Sequence, residues 1–205
     1  AMIALGVLIL ISLSALFAAQ VAPYDPNEVD ILDQLQGPSA GHLLGTDLYG
    51  RDILSRIIYG TRASLTVALA SVAMGLTLGS FLGALAGYLG GWVDGVVMRT
   101  MDLFLAFPYL LLAIIIVSAL GPGILNTIVA IAVWTVPAFA RVARSAVLQL
   151  KERDFVTAAI SLGAKEARIM GVHLLPNFVA TLVVYASLYL AYAILMESAL
   201  SFLGL

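Results

Sequence analysis

Five stretches of the chain are apolar enough to cross a bilayer, and polar segments of differing character separate them. Residues 1–24 carry no charge. A span needs roughly 20 apolar residues and a cleaved signal core only about 7–15, so residues 2–21 read as a first span. A second charge-free run covers 63–92, a third has its core at 103–120 around Pro108, a fourth runs from about 124 to 140, and a fifth covers 178–196. Pro108 and Pro137 each remove a helix hydrogen bond, so bends are expected at both. Residues 198–205 are too few to cross again.

The polar segments have patterns of their own. Residues 23–50 are rich in Asp, Glu, Pro and Gly, as in an extramembrane segment full of turns. Residues 51–62 put Ile53, Leu54, Ile57 and Ile58 on one helical face and Arg51, Ser55, Arg56 and Arg62 largely on the other. That is an amphipathic helix, lying in the membrane interface or packed as a soluble helix would be. Residues 151–177 hold the longest run of regular polar punctuation. Asp154 is suited to cap a short helix and Gly163 to stop it. Residues 165–172 form a second short helix, and Pro176 opens the last apolar segment. Ala158, Ala159, Gly163 and Ala164 make a surface of small residues that a partner approaches closely.

Within the second span Ser71, Gly75, Gly79, Gly83 and Gly87 recur every four residues. In hydrocarbon such a stripe lets helix backbones pack closely. It drifts around the helix, which predicts contact with more than one neighbour. Arg99 and Asp102 lie three apart, adjacent on a helix near a membrane boundary, and are expected to pair or to snorkel.

Composition narrows the class. The chain has 205 residues, 62% hydrophobic and 11% charged, against about a quarter charged in soluble domains. It is an all-α, polytopic membrane protein, so its net charge of −2 says little about partners, and nothing points to nucleic acid. Having no cysteine excludes disulfides and thiolate chemistry, and His42 and His173 are too few for a histidine-rich metal cluster. Asp47 and Asp52 read as capping and helix-end charges, not as metal ligands. There is no G-x-x-x-x-G-K-[ST] phosphate loop, H-E-x-x-H or G-x-S-x-G, so no catalytic residue is assigned and no cofactor is expected in this chain. The chain opens inside an apolar run without an initiator methionine and stops at Leu205, reading as a portion of a longer protein.

With alternating spans, Arg99, Arg141, Arg144, Lys151, Arg153, Lys165 and Arg168 fall on one side and Arg51, Arg56 and Arg62 on the other. The positive-inside rule puts the larger group, with loop 151–177, in the cytoplasm. The expected organisation is a first span in 1–22, an extracytoplasmic segment with an amphipathic helix in 23–62, and a permease domain in 63–205.

The loop motif Thr157-Ala158-Ala159, Gly163, His173-Leu174-Leu175-Pro176 resembles the cytoplasmic loop of bacterial ABC-importer permeases, with Thr157 and His173 where that pattern has glutamate and isoleucine. His42 to Asp47, Gly50-Arg51-Asp52, Gly87-Tyr88 with Gly90-Gly91-Trp92, Met98-Arg99, Ala106-Phe107-Pro108 and Glu197 to Leu205 resemble the dipeptide/oligopeptide/nickel branch. The resemblance implies six spans, the sixth beyond Leu205, and residence in the bacterial inner membrane. It also implies cytoplasmic ATPase subunits that bind ATP-Mg, a second permease subunit and an extracytoplasmic substrate-binding protein. Arg153, Asp154, Thr157, Ala158, Ala159, Gly163, Ala164 and Arg168 become the expected ATPase contact, and Glu197 a candidate gate.

Ser118, Asn126, Thr127, Thr135, Tyr185, Ser187 and Tyr189 are candidate pathway liners, each equally able to bond its own helix backbone. Peptides are the expected cargo, with nickel chelates and other small solutes as alternatives. An ion-gradient-driven secondary transporter and a scaffold without transport are the competing classes. The first of these needs midplane ionisable groups that these spans lack.

Overall fold

The computed structural model describes residues 2–205; Ala1, where the expected first span opens, lies outside the described residues. The chain divides within one long helix into two compact units, residues up to Thr66 and Val67–Leu205, each taken by itself below.

In the first unit α1 (Met2–Leu16) and α2 (Ala18–Val21) are separated at Phe17, which leaves the helical region at φ −99°, ψ 29°. The polar segment that follows is tied by side chains. Asp52 Oδ2 accepts from the Ser55 amide at 2.8 Å and caps α3 (Ile53–Leu89), while Oδ1 lies 3.0 Å from His42 Nδ1. Asp47 accepts from the amides of Tyr49 and Arg51 at 2.8 and 3.1 Å and from the Arg51 guanidinium at 2.7 Å. Burial opposes both carboxylates, yet these donors outweigh it, holding Asp47 at about 2 and Asp52 below its ordinary value. Gly45 and Gly50 adopt φ of 79° and 73°, where a methyl group would meet the Gln36 and Asp30 carbonyls, so both turns require glycine. Among the described residues no group of three or more His, Asp or Glu side chains is placed to hold a metal ion.

Helix α3 runs unbroken for 37 residues. The expected separate amphipathic helix over 51–62 is therefore its first turns, because no cap or breaker follows Arg62.

In the second unit α3 is followed by α4 (Gly91–Leu105), α5 (Tyr109–Leu120) and α6 (Ile124–Lys151). Then come α7 (Asp154–Ser161), α8 (Glu166–Arg168), a π-helical turn (Ile169–Leu174) and α9 (Leu175–Phe202). Helix α6 packs against α4, α5 and α9, and Phe139, Phe178, Ile131, Met196 and Val117 are fully enclosed among them. Pro108 caps α5, and the chain bends by 91° between α4 and α5. Pro137 is buried inside α6, which stays continuous.

The α3 glycines meet α6. A methyl group at Gly75 would lie 1.8 Å from Thr135 Oγ1, at Gly79 2.4 Å from the Val136 carbonyl oxygen, at Gly83 2.0 Å from that of Ala140, and at Gly87 2.9 Å from that of Arg144. All four contacts are with one helix, not the several that a drifting stripe suggests. The contact positions on α6 rise with those on α3, so the two helices run parallel along this seam. Ser71 is buried one turn earlier and donates to the Val67 carbonyl.

Among the described residues three helices, α3, α6 and residues 166–202, are long and apolar enough to cross a membrane, or up to four spans if α4 and α5 count as one bent span. Among the described residues α1 contributes a shorter apolar helix, Gly6–Leu16.

Replacing Gly83 with Ala should destabilise the chain by about 1–3 kcal/mol, because backbone atoms cannot step aside. Gly95→Ala, where a methyl group meets nothing within 4 Å, should instead be neutral or gain up to about 1 kcal/mol. Thermal midpoints in detergent make the comparison. In the polar segment, a lowered folded pKa means stability present above the ordinary value of 3.8 and lost as pH falls through about 2. The Tyr49 and Arg51 amide resonances, both bonded to Asp47, should therefore hold their native positions from neutral pH down to about 4 and move only below it.

Candidate functional site

The cytoplasm-expected loop is built on two helix ends. Helix α6 stops at Lys151, and Arg153 is extended at φ −78°, ψ 146°. The Arg153 carbonyl accepts from the amides of Val156 and Thr157 at 2.9 and 3.2 Å, starting α7. Asp154 is thus the first helical residue and not the cap; its carboxylate lies in the first turn, where the helix dipole favours it. At the other end the Ala164 amide donates to the Ala159 carbonyl and the Gly163 amide to that of Ile160, at 3.0 and 2.9 Å. With Gly163 at φ 79°, this is a Schellman turn.

Beyond it α8 does not form a separate second helix. It passes through the π turn directly into α9, with Pro176 in the first turn of α9. Pro176 has no N–H to give the ladder; next to it, Asn177 Nδ2 donates to the His173 carbonyl at 2.6 Å. The wide turn sits where the α-helical ladder cannot close.

Val156 and Ala159 are the buried residues of α7. Ala159 is therefore part of the floor and not a free docking residue, whereas Arg153, Asp154, Thr157, Ala158, Gly163 and Arg168 are exposed and Ala164 is half-buried. A groove of about 600 Å³ opens beside the turn, lined by Ala159, Leu162, Gly163, Ala164, Lys165, Arg168 and His173. It gathers four of the expected contact residues and leaves Arg153, Asp154, Thr157 and Ala158 outside its lining. Leu162, Lys165 and His173 are additions. Leu162 is 89% exposed, a bare leucine at the lip of a groove that Lys165 and Arg168 also line. Its place just before a helix-stopping glycine was the available signal, since a C-cap side chain has turned away from the helix's packed face.

Ion pairs hold the end of α6 that carries this loop. Asp94 of α4 takes both Nε and Nη2 of Arg144 at 2.5 Å, a bidentate pair. Asp102 pairs with Arg141 at 2.6 Å. The expected Arg99–Asp102 pair is absent among the described residues, because α6 brings Asp102 a cation from outside its own helix. Lys151 Nζ donates to the Tyr88 carbonyl at 2.8 Å, binding the last turn of α6 to α3.

Among the candidate pathway liners, Thr127, Thr135 and Ser187 donate to carbonyls three or four residues back, and Asn126 to those of Leu120 and Gly121. Tyr189 lies in a ring cluster with Trp134, Phe139 and Tyr192. Glu197 is half-buried in α9.

Residues 75–205 match the family of binding-protein-dependent transport system inner membrane components, and residues 1–38 match the N-terminal TM domain of oligopeptide transport permease C. The chain belongs to this permease family. It is 48% identical to the di/tripeptide transport system permease protein DppC of Pseudomonas aeruginosa over 97% of its own length and 67% of that protein's. It is 43% identical to the glutathione transport system permease protein GsiD of Pectobacterium atrosepticum, covering 99% of the chain and 68% of the relative. To the dipeptide transport system permease protein DppC of Alkalihalophilus pseudofirmus it is 45% identical, over 98% and 66%. The chain thus spans about two thirds of these relatives. It is an integral inner-membrane permease subunit of an ABC importer and not an enzyme, and the ion-gradient alternative is not favoured.

The two ion pairs should differ in worth. Arg141 and Asp102 are over half exposed, at 54% and 55%, so Asp102→Asn should move stability by less than about 1 kcal/mol. Asp94→Asn, losing a bidentate and more enclosed pair, should cost about 1–3 kcal/mol. Thermal unfolding of the two variants tests the order.

Proposed function

We propose that this chain forms half of the translocation path of an ATP-driven importer of short peptides, and that a cytoplasmic ATPase subunit grips it at the groove beside α7. Hydrolysis belongs to the partners, which bind ATP-Mg; a second, similar permease chain supplies the other half of the path. An extracytoplasmic binding protein delivers cargo, and Glu197 belongs to the gate it meets.

The observation that carries the coupling site is Leu162, bare at the lip of a groove floored by Ala159, Gly163 and Ala164 and rimmed by Lys165 and Arg168. Small side chains let another protein's backbone come close, and an unpacked leucine offers an anchor for its pocket. The exposed Arg153, Asp154, Thr157 and Ala158 form the outer border of the same contact. Force applied here reaches two spans, since α6 enters the loop and α9 leaves it. The cargo assignment rests on the relatives, whose names cover dipeptides, tripeptides and glutathione, all short chains of amide-linked residues.

Leu162→Asp should lower recovery of the ATPase with the complex, and the transport rate, about tenfold, the equivalent of ~1.4 kcal/mol. The thermal midpoint should change little, because the side chain is 89% exposed. Normal transport with a normally bound ATPase would refute the site. Uptake of labelled di- and tripeptides should vanish on deletion of the gene; loss of nickel uptake alone would overturn the cargo assignment.

A further inference from the structure

Helix α4 buries one side and leaves the other bare. Met101 is enclosed and Asp94 reaches α6, whereas Trp92, Val96 and Leu103 are 79%, 58% and 68% exposed. Positions 92, 96, 99 and 103 share one helical stripe, so Arg99 sits within this apolar strip. With Gly95 and Thr100 these residues line an open groove of about 410 Å³. No ion pair or hydrogen bond involves the Arg99 side chain among the described residues.

The helix also lies across its neighbours. Asp94 and Asp102 are about 12 Å apart along α4 by helix rise, yet they meet Arg144 and Arg141, only about 4.5 Å apart along α6. The 91° turn into α5, which packs on α6, has the same meaning. A helix transverse to a span lies parallel to the bilayer. The exposed apolar surface continues past the corner at Leu111 and Ile115, so the occupant of the strip is continuous with what covers the spans.

We propose that α4 lies in the headgroup layer of the cytoplasmic leaflet, its groove holding an anionic phospholipid with the phosphate on Arg99 and the upper acyl chain against Val96 and Leu103. The leaflet follows from the orientation adopted under the proposed function. A guanidinium pairs a phosphate in bidentate fashion, and tryptophan favours the headgroup level.

The test uses the reconstituted transporter with all its subunits, the others freed of cysteine, in vesicles of phosphatidylglycerol and phosphatidylcholine. Residues 1–205 hold no cysteine, so with any cysteine elsewhere in the complex replaced a spin label on Val96→Cys reports one position. That label should collide with membrane-dissolved oxygen in preference to an aqueous nickel chelate. Arg99→Gln should lower the preference for spin-labelled phosphatidylglycerol over phosphatidylcholine about fivefold, matching the ~1 kcal/mol a basic side chain contributes near anionic lipid. Gly95→Leu, which fills open space, should lower it too with an unchanged thermal midpoint. A label met by the chelate and not by oxygen overturns the proposal. So does one reached by neither until the second permease subunit is omitted, or an unchanged lipid preference in Arg99→Gln. Leu162→Cys labelled only from outside would overturn the coupling reading and the leaflet, while the Val96 label would still report lipid contact, so the two failures are distinguishable.

Discussion

Nothing in hydrocarbon pushes two apolar helices together, so the α3–α6 seam depends on how closely they approach. Gly75, Gly79, Gly83 and Gly87 remove every side chain from one edge of α3, and α6 comes within the space a methyl group would need, with its Thr135 hydroxyl at Gly75 and with backbone oxygens at the other three. Dispersion at that range, summed over four turns, takes the place of the hydrophobic drive available in water. The placement of α4, α5 and α9 follows, since each packs on an α6 already fixed by the seam.

Charge acts at the end of the same scaffold. Asp94 and Arg144 are held in bidentate geometry, and Lys151 is tied to the Tyr88 carbonyl, both beside the loop that α6 enters. Neutralised pairs are what a segment near the bilayer boundary tolerates. The loop itself is shaped by backbone rules: an extended Arg153 opens α7, and the Schellman turn at Gly163 closes it.

What was legible in the sequence depended on the range of each interaction. The glycine period of four and the stop at Gly163 are local signals, readable from spacing and from the φ that glycine alone adopts freely. Pro108 marked the position of a bend but not its 91°, which depends on what α4 and α5 pack against. Arg99 and Asp102 do not pair among the described residues, because a three-residue rule describes one helix and cannot see Arg141 arriving from another. Ala159 was read as surface because small residues look alike whether they floor a groove or face a partner. The run from α8 into α9 was hidden by Pro176, usually a helix opener, which the wide turn before it accommodates.

A seam made of backbone has no slack. Side chains between helices swing and let their axes slide, but at Gly79, Gly83 and Gly87 α3 meets backbone oxygens of α6, which cannot swing, so over this stretch the two behave as a single strut. Rearrangement among the spans is then confined to joints where the ladder is already broken, at the Pro108 corner and at the wide turn before α9.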